Sequence, residues 1–369
     1  MKKSIMLLLA LILVNMGSPV MAQESAGSDP SLSNPTPGGE KSLEERLGLR
    51  NEGGKRLDRI QIGGLIEIEA GYEKIDFKER AAQDEKTSDV DLAAVELSVD
   101  VEISDHIDGH VLFKYEDDEV FVDEGFITLT GPKTFPAYLI AGRQYIPFGS
   151  FDTHFITDPA TLALGETNEG AVVAGYRFGG EMVDVSLGAF NGRAQSAGDD
   201  DAVDSFVANI AVNPCEDLMI GGSYTSNLAG SDAFNEVVTD PDNLDSLVAG
   251  WSVYATFRFL DRFKLIGECV SALDHFKAGE IYDAADARKR KPMAWNAELG
   301  FIINDALEIA ARFGGSDDGG NFLPESEYGA VLNWEFFEHA SLAIEYLHGE
   351  FENEVEGIEA ITVQFAVEF

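Results

Sequence analysis

From Ile60 to the C-terminus, apolar and polar residues alternate with a period of two. The last segment places Ile361, Val363, Phe365, Val367 and Phe369 on one face and Thr362, Gln364, Ala366 and Glu368 on the other. Residues 295–303 and 93–103 repeat the pattern: Trp295, Ala297, Leu299, Phe301 and Ile303 alternate with Asn296, Glu298 and Gly300, and Ala93 to Ile103 alternate with Glu96, Ser98, Asp100 and Glu102. A period of two is the signature of a β-strand with one buried face. About sixteen such segments begin near residues 60, 89, 108, 121, 137, 171, 182, 204, 218, 249, 263, 293, 307, 327, 341 and 360. Most reach the ~9 to 11 residues that a tilted strand needs to cross a bilayer. Alternation alone does not name the solvent, because a soluble sandwich alternates too.

The connections decide it. Short ones, such as Ser104-Asp105-His106, Gly179-Gly180-Glu181, Pro214 to Asp217, Leu260-Asp261-Arg262, Asn304-Asp305-Ala306 and Phe337-Glu338-His339, with a slightly longer 131–136, take turns with long ones near 76–88, 149–170, 193–203, 229–248, 274–291 and 315–326. Periplasmic turns and external loops of outer-membrane barrels differ in this way. Aromatic residues at segment ends (Tyr72, Tyr115, Tyr138, Tyr176, Phe257, Phe259, Phe336, Phe337, Tyr346) suit interfacial girdles. The expectation is an all-β, transmembrane, antiparallel up-and-down β-barrel over residues 60–369, of about sixteen strands, with fourteen to eighteen tolerated. The competing architecture is a secreted β-sandwich or propeller array, whose loops would not alternate in length. An even strand number puts both ends in the periplasm.

Ahead of the barrel, Lys2 and Lys3, the apolar run Ile5 to Val14, and Val20-Met21-Ala22 compose a secretory signal over 1–22, cleaved after Ala22. Residues 23–59 read as a short N-terminal periplasmic leader. Its first part is small, polar and broken by Pro30, Pro35 and Pro37, and Ser42 with Glu45 resembles a capping box for a short helix. A plain linker fits that stretch equally well, since so short a helix is marginal alone. The localisation expected is the bacterial outer membrane.

Composition adds charge. The chain of 369 residues has 26 Lys and Arg against 66 Asp and Glu, a net charge of -40. Nucleic acid is excluded as a partner, because neutralising phosphates needs a basic face. Two cysteines, Cys215 and Cys269, exclude a disulfide framework and a multi-cysteine metal site, and they are read as unpaired with each other. If the apolar faces meet lipid, the opposite faces line a wet lumen carrying Glu67, Glu69, Glu96, Asp100, Glu102, Lys114, Glu116, Arg143, Arg177, Arg258, Lys264, Glu268, Glu298, Glu308, Arg312, Glu335, Glu345 and Glu368. The opposite assignment would cost ~2 to 4 kcal/mol for each Arg or Lys at the midplane. Many of these charges are equally readable as wall-to-wall salt bridges.

One stretch carries a resemblance. Gly142-Arg143-Gln144-Tyr145-Ile146-Pro147-Phe148-Gly149, followed by Phe151, Thr153-His154, Thr157-Asp158-Pro159, Thr161-Leu162 and Leu164-Gly165-Glu166-Thr167, resembles the LbtU-type siderophore porin family. The terminal Phe369 on an alternating strand also resembles the assembly signature of outer-membrane barrels. The resemblance implies uptake of an iron-siderophore chelate, and that 149–170, the third long external loop, folds inward to narrow the channel. Its acids Asp152, His154 beside them, Asp158 and Glu166 would then face Arg143 and Arg177 on the wall, setting up a transverse field. With Arg258 and Arg312 these form the expected pore-lining set. A surface loop of solvated acids is the alternative.

The remaining features are weaker. Acidic clusters at Asp117 to Glu124, Asp199 to Asp204 and Glu350 to Glu356 read as solvated charge outside the barrel, without EF-hand spacing. Arg288-Lys289-Arg290-Lys291 suits either lipopolysaccharide phosphates or plain solvation. Six scattered histidines without HExxH or GxSxG motifs give an enzyme nothing to stand on, and no cofactor, metal or catalysis is expected. The functional expectation is an outer-membrane channel for iron-siderophore chelates. A general or cation-preferring porin and a surface adhesin are the alternatives, and a homotrimer is common for sixteen strands but not written in these residues.

Overall fold

The computed structural model describes residues 59–78, 84–116, 119–198, 203–352 and 355–369. The signal, leader and capping-box readings, and parts of the acidic clusters, lie outside these residues. Sixteen strands follow in chain order: β1 (Ile60–Phe77), β2 (Glu85–Ser104), β3 (Ile107–Glu116), β4 (Glu119–Thr130), β5 (Ala137–Tyr145), β6 (Asn168–Phe178), β7 (Val183–Phe190), β8 (Ser205–Cys215), β9 (Leu218–Thr225), β10 (Gly250–Phe259), β11 (Phe263–Ala272), β12 (Met293–Asn304), β13 (Leu307–Asp317), β14 (Ser326–Phe337), β15 (Ala340–Glu350) and β16 (Val355–Glu368). Each pairs antiparallel with its sequence neighbours, and β16 pairs with β1 to close the barrel. The seam is tied at its end by Gly64 and Phe369, whose backbones exchange hydrogen bonds of 2.9 and 3.0 Å. Closure leaves no sheet edge, which a bilayer requires because lipid cannot satisfy free backbone groups.

The outward face is apolar: Ile62, Ile127, Val172, Leu187, Phe206, Val253 and Phe313 are each more than half exposed, as only a lipid-facing belt tolerates. Aromatic side chains cluster on it near the periplasmic end, where Phe257, Phe259, Phe263 and Phe301 stack in sequence at 5.0 to 5.4 Å and Tyr176 packs on Phe135 and Phe178. Tyr138 departs from the expected girdle. It points into the lumen, where its hydroxyl donates to Asp184 at 2.7 Å.

Two expectations about the connections need correction. Strict alternation of short and long fails at the external end of β3 and β4, joined by two residues only, and the first external loop shrinks because β1 and β2 run on to Phe77 and from Glu85. Long alternating strands simply continue beyond the bilayer. Glu119, Asp123 and Glu124 therefore belong to β4 and not to an external acidic cluster.

The largest apolar core lies inside the barrel mouth. Four external loops fold inward and pack Phe148, Phe151, Leu162, Leu164, Leu228, Phe234, Leu244, Phe276, Ile281, Phe322 and Leu323 against Val173, Val207, Val270 and Ala294 of the wall. On that side of the lumen the wall positions are small or β-branched, so loop side chains fill space that water would otherwise take. Above them Arg290, 3% exposed, pairs with Asp286 at 2.9 Å, Asp318 at 2.9 Å and Glu352 at 3.2 Å, and Arg288 reaches Asp286 and Glu352. The basic run is thus largely engaged in tying three external loops together.

Candidate functional site: a loop strung across the lumen

The segment between β5 and β6 leaves the wall through a neck where the Ile146 amide donates to the Thr167 carbonyl at 2.9 Å. It then crosses to the opposite wall and returns through a short helix, α1 (Ala160–Gly165). Irregular backbone inside a barrel carries amides that need acceptors. The wall supplies them. Gly149 N donates to Ser223 Oγ of β9 at 2.8 Å, and Ser150 N and Phe151 N donate to the two carboxylate oxygens of Glu268 on β11 at 3.0 and 2.7 Å. His154 N reaches Glu298 on β12 at 2.6 Å, joined by the Thr153 hydroxyl at 2.8 Å. Ile156 N and Thr157 N reach Glu345 on β15 at 2.6 and 3.1 Å, with the Thr157 hydroxyl at 2.6 Å. Three wall glutamates, spaced around the barrel, thus hold successive pieces of loop backbone by charge-assisted hydrogen bonds.

Arg312 of β13 is the hub of this arrangement. Its guanidinium bonds Glu298 at 2.9 Å and Glu327 at 3.2 Å, donates to Thr153 Oγ1 at 2.6 Å and the Thr157 carbonyl at 2.8 Å, and lies 4.3 Å from the centre of the Phe155 ring. The planar fork of arginine suits several acceptors at once. His154 Nδ1 sits 2.5 Å from Glu308, and its ring lies so close to Gly300 that a β-carbon there would stand 2.5 Å from His154 Cε1. Only glycine leaves room for the imidazole. Asp152 accepts from Thr256 of β10 at 3.1 Å.

The expected transverse field between loop acids and wall arginines is not what the structure builds. Gln144 is buried, while Arg143 pairs with Gly125 and Gly170 at the root of the loop and is exposed, and its charge acts on Asp123 and on Asp232 of a neighbouring loop. Its Nε donates to the Asp123 carbonyl at 3.1 Å. Arg177 faces inward but at the periplasmic rim, paired with Asp184 at 3.2 Å and Glu181 at 3.5 Å. Arg258 is exposed in the lumen beside Lys264, below the loop. The loop runs away from its roots, where Ile140, Gly142, Ala171 and Val173 offer no side-chain acceptor, toward β9 to β15, whose Ser223, Glu268, Glu298 and Glu345 accept its amides. Of the expected set, the structure brings Asp152, His154, Asp158 and Arg312 together with Glu166 on the returning limb of the same loop, leaves Arg258 nearby, and sets Arg143 at the loop's root and Arg177 at the periplasmic rim. The residues that sequence reasoning placed in the lumen without a role are Glu268, Glu298 and Glu345. Their signal was acids on inward positions of strands facing an irregular, hydroxyl-rich segment.

A second tier lies above. Between β9 and β10 a short helix, α2 (Asp232–Asn235), caps the loop: Asp232 N donates to the Glu166 carbonyl at 2.8 Å and the Ser231 hydroxyl to the Leu164 carbonyl at 2.9 Å. Burial pushes the carboxyls of Asp158 and Glu166 well above the usual carboxylate range, and lifts Asp232 to about 6 against the opposing pull of Arg193. An acid raised in the packed state favours its neutral form there. The stabilisation is full below the ordinary value near 3.8 and is lost as the pH climbs through about 6. A spin label on Thr239, in a chain whose Cys215 and Cys269 are serine, will gain mobility from pH 4 to 7.5, and Asp232→Asn will flatten most of that change.

A closed sixteen-stranded antiparallel barrel with an apolar outer belt and an inward third loop has the porin fold of the bacterial outer membrane. The structural resemblances agree. The outer-membrane channel DcaP of Acinetobacter baumannii superposes with a TM-score of 0.60 at 13% identity, covering 84% of this chain and 97% of that one. OprB of Pseudomonas putida gives 0.59 at 10% identity (85% and 95%), and an anion-selective porin of Comamonas acidovorans 0.58 at 12% (84% and 99%). In sequence, the chain is similar to a UPF0422 protein of Coxiella burnetii, 24% identical over 308 residues, and to one of Legionella pneumophila strain Lens, 22% identical over 292 residues. Those alignments take in 79% and 70% of this chain but only 64% and 54% of the relatives' own length. No model of a protein family matches the chain.

Proposed function

We propose that the chain is a passive outer-membrane channel whose narrowed lumen passes iron-siderophore chelates. The observation that carries this reading is that the stretch resembling LbtU-type siderophore porins, Gly142 to Thr167, is the same stretch that leaves the wall and crosses the lumen. A resemblance concentrated in the constriction points to the solute. The many fixed contacts between loop and wall give the constriction a set shape, and constrictions set which solutes pass. The secretory signal at 1–22 and the periplasmic leader at 23–59 belong to the same reading, and catalysis has no part in it.

The second reading is a cation-preferring diffusion porin. What favours it is the wall of β1 and β2, where Glu67, Glu69 and Glu96 face the lumen with Lys114 of β3 among them. Acids along a low-dielectric passage raise the local concentration of cations.

Both readings require current through the purified protein in planar bilayers. We expect small, stable single-channel steps with weak cation selectivity in a KCl gradient, and a deletion strain that loses growth on one iron chelate of a panel. Loss of growth on none would favour plain diffusion, strong anion selectivity would contradict the acidic wall, and a barrel without current would sink both.

A further inference from the structure

On the external side of the crossing loop lies a cavity of about 110 Å³ that is continuous with solvent. Its walls are apolar, with Phe322 from the loop after β13, Leu347 and Phe351 from the end of β15, and Ile358 from β16. Three carboxylates interrupt them: Asp158 on the crossing loop, Glu73 on β1 and Glu327 on β14. Glu327 is paired with Arg312. The other two have no direct hydrogen bond or ion pair among the described residues, although the charges of Arg312 and Lys114 act on Asp158 from a distance. Asp158 Oδ1 is buried without a hydrogen bond, and Glu73, 5% exposed, has neither a hydrogen bond nor an ion pair among the described residues. Arg312, the guanidinium nearest in the arrangement, is already held by Glu298, Glu327 and two loop oxygens.

A buried carboxyl without a partner is costly, and a site that keeps two of them beside aromatic and aliphatic walls is complementary to one kind of molecule. A hydrated inorganic cation would have to shed its shell against hydrocarbon. Among the described residues no three metal-ligating side chains converge to compensate for that loss. An ammonium or guanidinium on an apolar body meets both halves of the site: the head group answers Asp158 and Glu73, and the body covers the apolar wall of Leu347, Ile358, Phe322 and Phe351. We propose that this cavity binds organic cations with an apolar body. That it thereby selects such solutes for the channel rests on the functional reading above.

The test is calorimetric titration of the full-length protein in lipid nanodiscs with 4-phenylbutylammonium, against tetramethylammonium and 4-phenylbutyrate, each corrected for empty nanodiscs. We expect saturable binding of 4-phenylbutylammonium at one site per chain, weakened about tenfold in Asp158→Asn and in Glu73→Gln, and no saturable binding of the other two probes. Equal binding of 4-phenylbutyrate, or wild-type affinity in both variants, would overturn the proposal. Glu73 touches no loop backbone, so its variant reports even where Asp158→Asn disturbs the loop. The same probe added to the external side of a bilayer separates the two readings: binding without any channel current leaves this site standing and removes the channel, whereas current without saturable binding removes the site alone.

Discussion

Arg312→Met will unfasten the crossing loop: single-channel conductance rises severalfold and open-channel noise increases, while the barrel remains closed. The methionine fills similar volume but leaves Glu298 and Glu327 without their cation and Thr153 and Thr157 without their donor. Removing one member of a buried charged pair costs about 3 to 5 kcal/mol. That cost falls on the loop's attachment to the wall, because β13 keeps its backbone pairing to β12 and β14. The measurement is conductance in planar bilayers beside the heat-modifiable mobility of the folded barrel in detergent gels. Arg312→Lys is expected to rescue only part, since a lysine ammonium cannot reach four acceptors in two directions. Unchanged conductance in Arg312→Met would mean that the three wall glutamates hold the loop without it.

Excising residues 152–163 and joining the stubs with two glycines will produce a larger change, and one with a sign that the loop's own charge does not suggest. The deletion removes two acids, Asp152 and Asp158. It also strips every loop donor from Glu345, returning that wall carboxylate to water in the lumen, while Glu298 keeps Arg312 and Asn296. Carboxylates facing an open passage attract cations from solution, whereas carboxylates bonded to loop amides do so weakly. Conductance therefore rises and the reversal potential in a KCl gradient moves further toward that of cations. A shift toward anions would show that the loop acids, not the wall acids, set the selectivity. The barrel itself stays heat-resistant, because strand pairing does not depend on the loop.

Strand number was legible because each strand repeats one rule: apolar out, polar or small in, with a turn every dozen residues or so. Boundaries near 137, 218, 263, 293 and 307 coincide with the structure. What failed were places where the count of two slips. At the bulge between Glu67 and Ile68, Ala93 drops out of the pairing, so Leu92 turns outward where an alternation running unbroken through Ala94 and Glu96 would carry it inward. Gly142, with φ +144°, packs against Gly125 and Phe126 of β4 so tightly that only a hydrogen fits in place of a side chain, and just beyond it Arg143 reaches the Asp123 carbonyl. The candidate site was legible in part for a different reason. Inward acids can be read from alternation, but whether an acid meets a cation, water or a loop amide depends on which way a long irregular segment runs. No local pattern encodes that, and the direction here was decided by acceptors on strands a hundred or more residues later.

The three glutamates grip main-chain amides, groups that every residue except proline presents alike. Such a grip is indifferent to which side chain sits at a given loop position, so a substitution at the partly exposed Ser150 alters the chemistry of the passage without loosening its support. A lineage under pressure to admit a different solute would thus be free to redraw the constriction one side chain at a time. The burden of constancy moves to the wall, at Glu268, Glu298 and Glu345, far along the chain from the segment whose variation they permit.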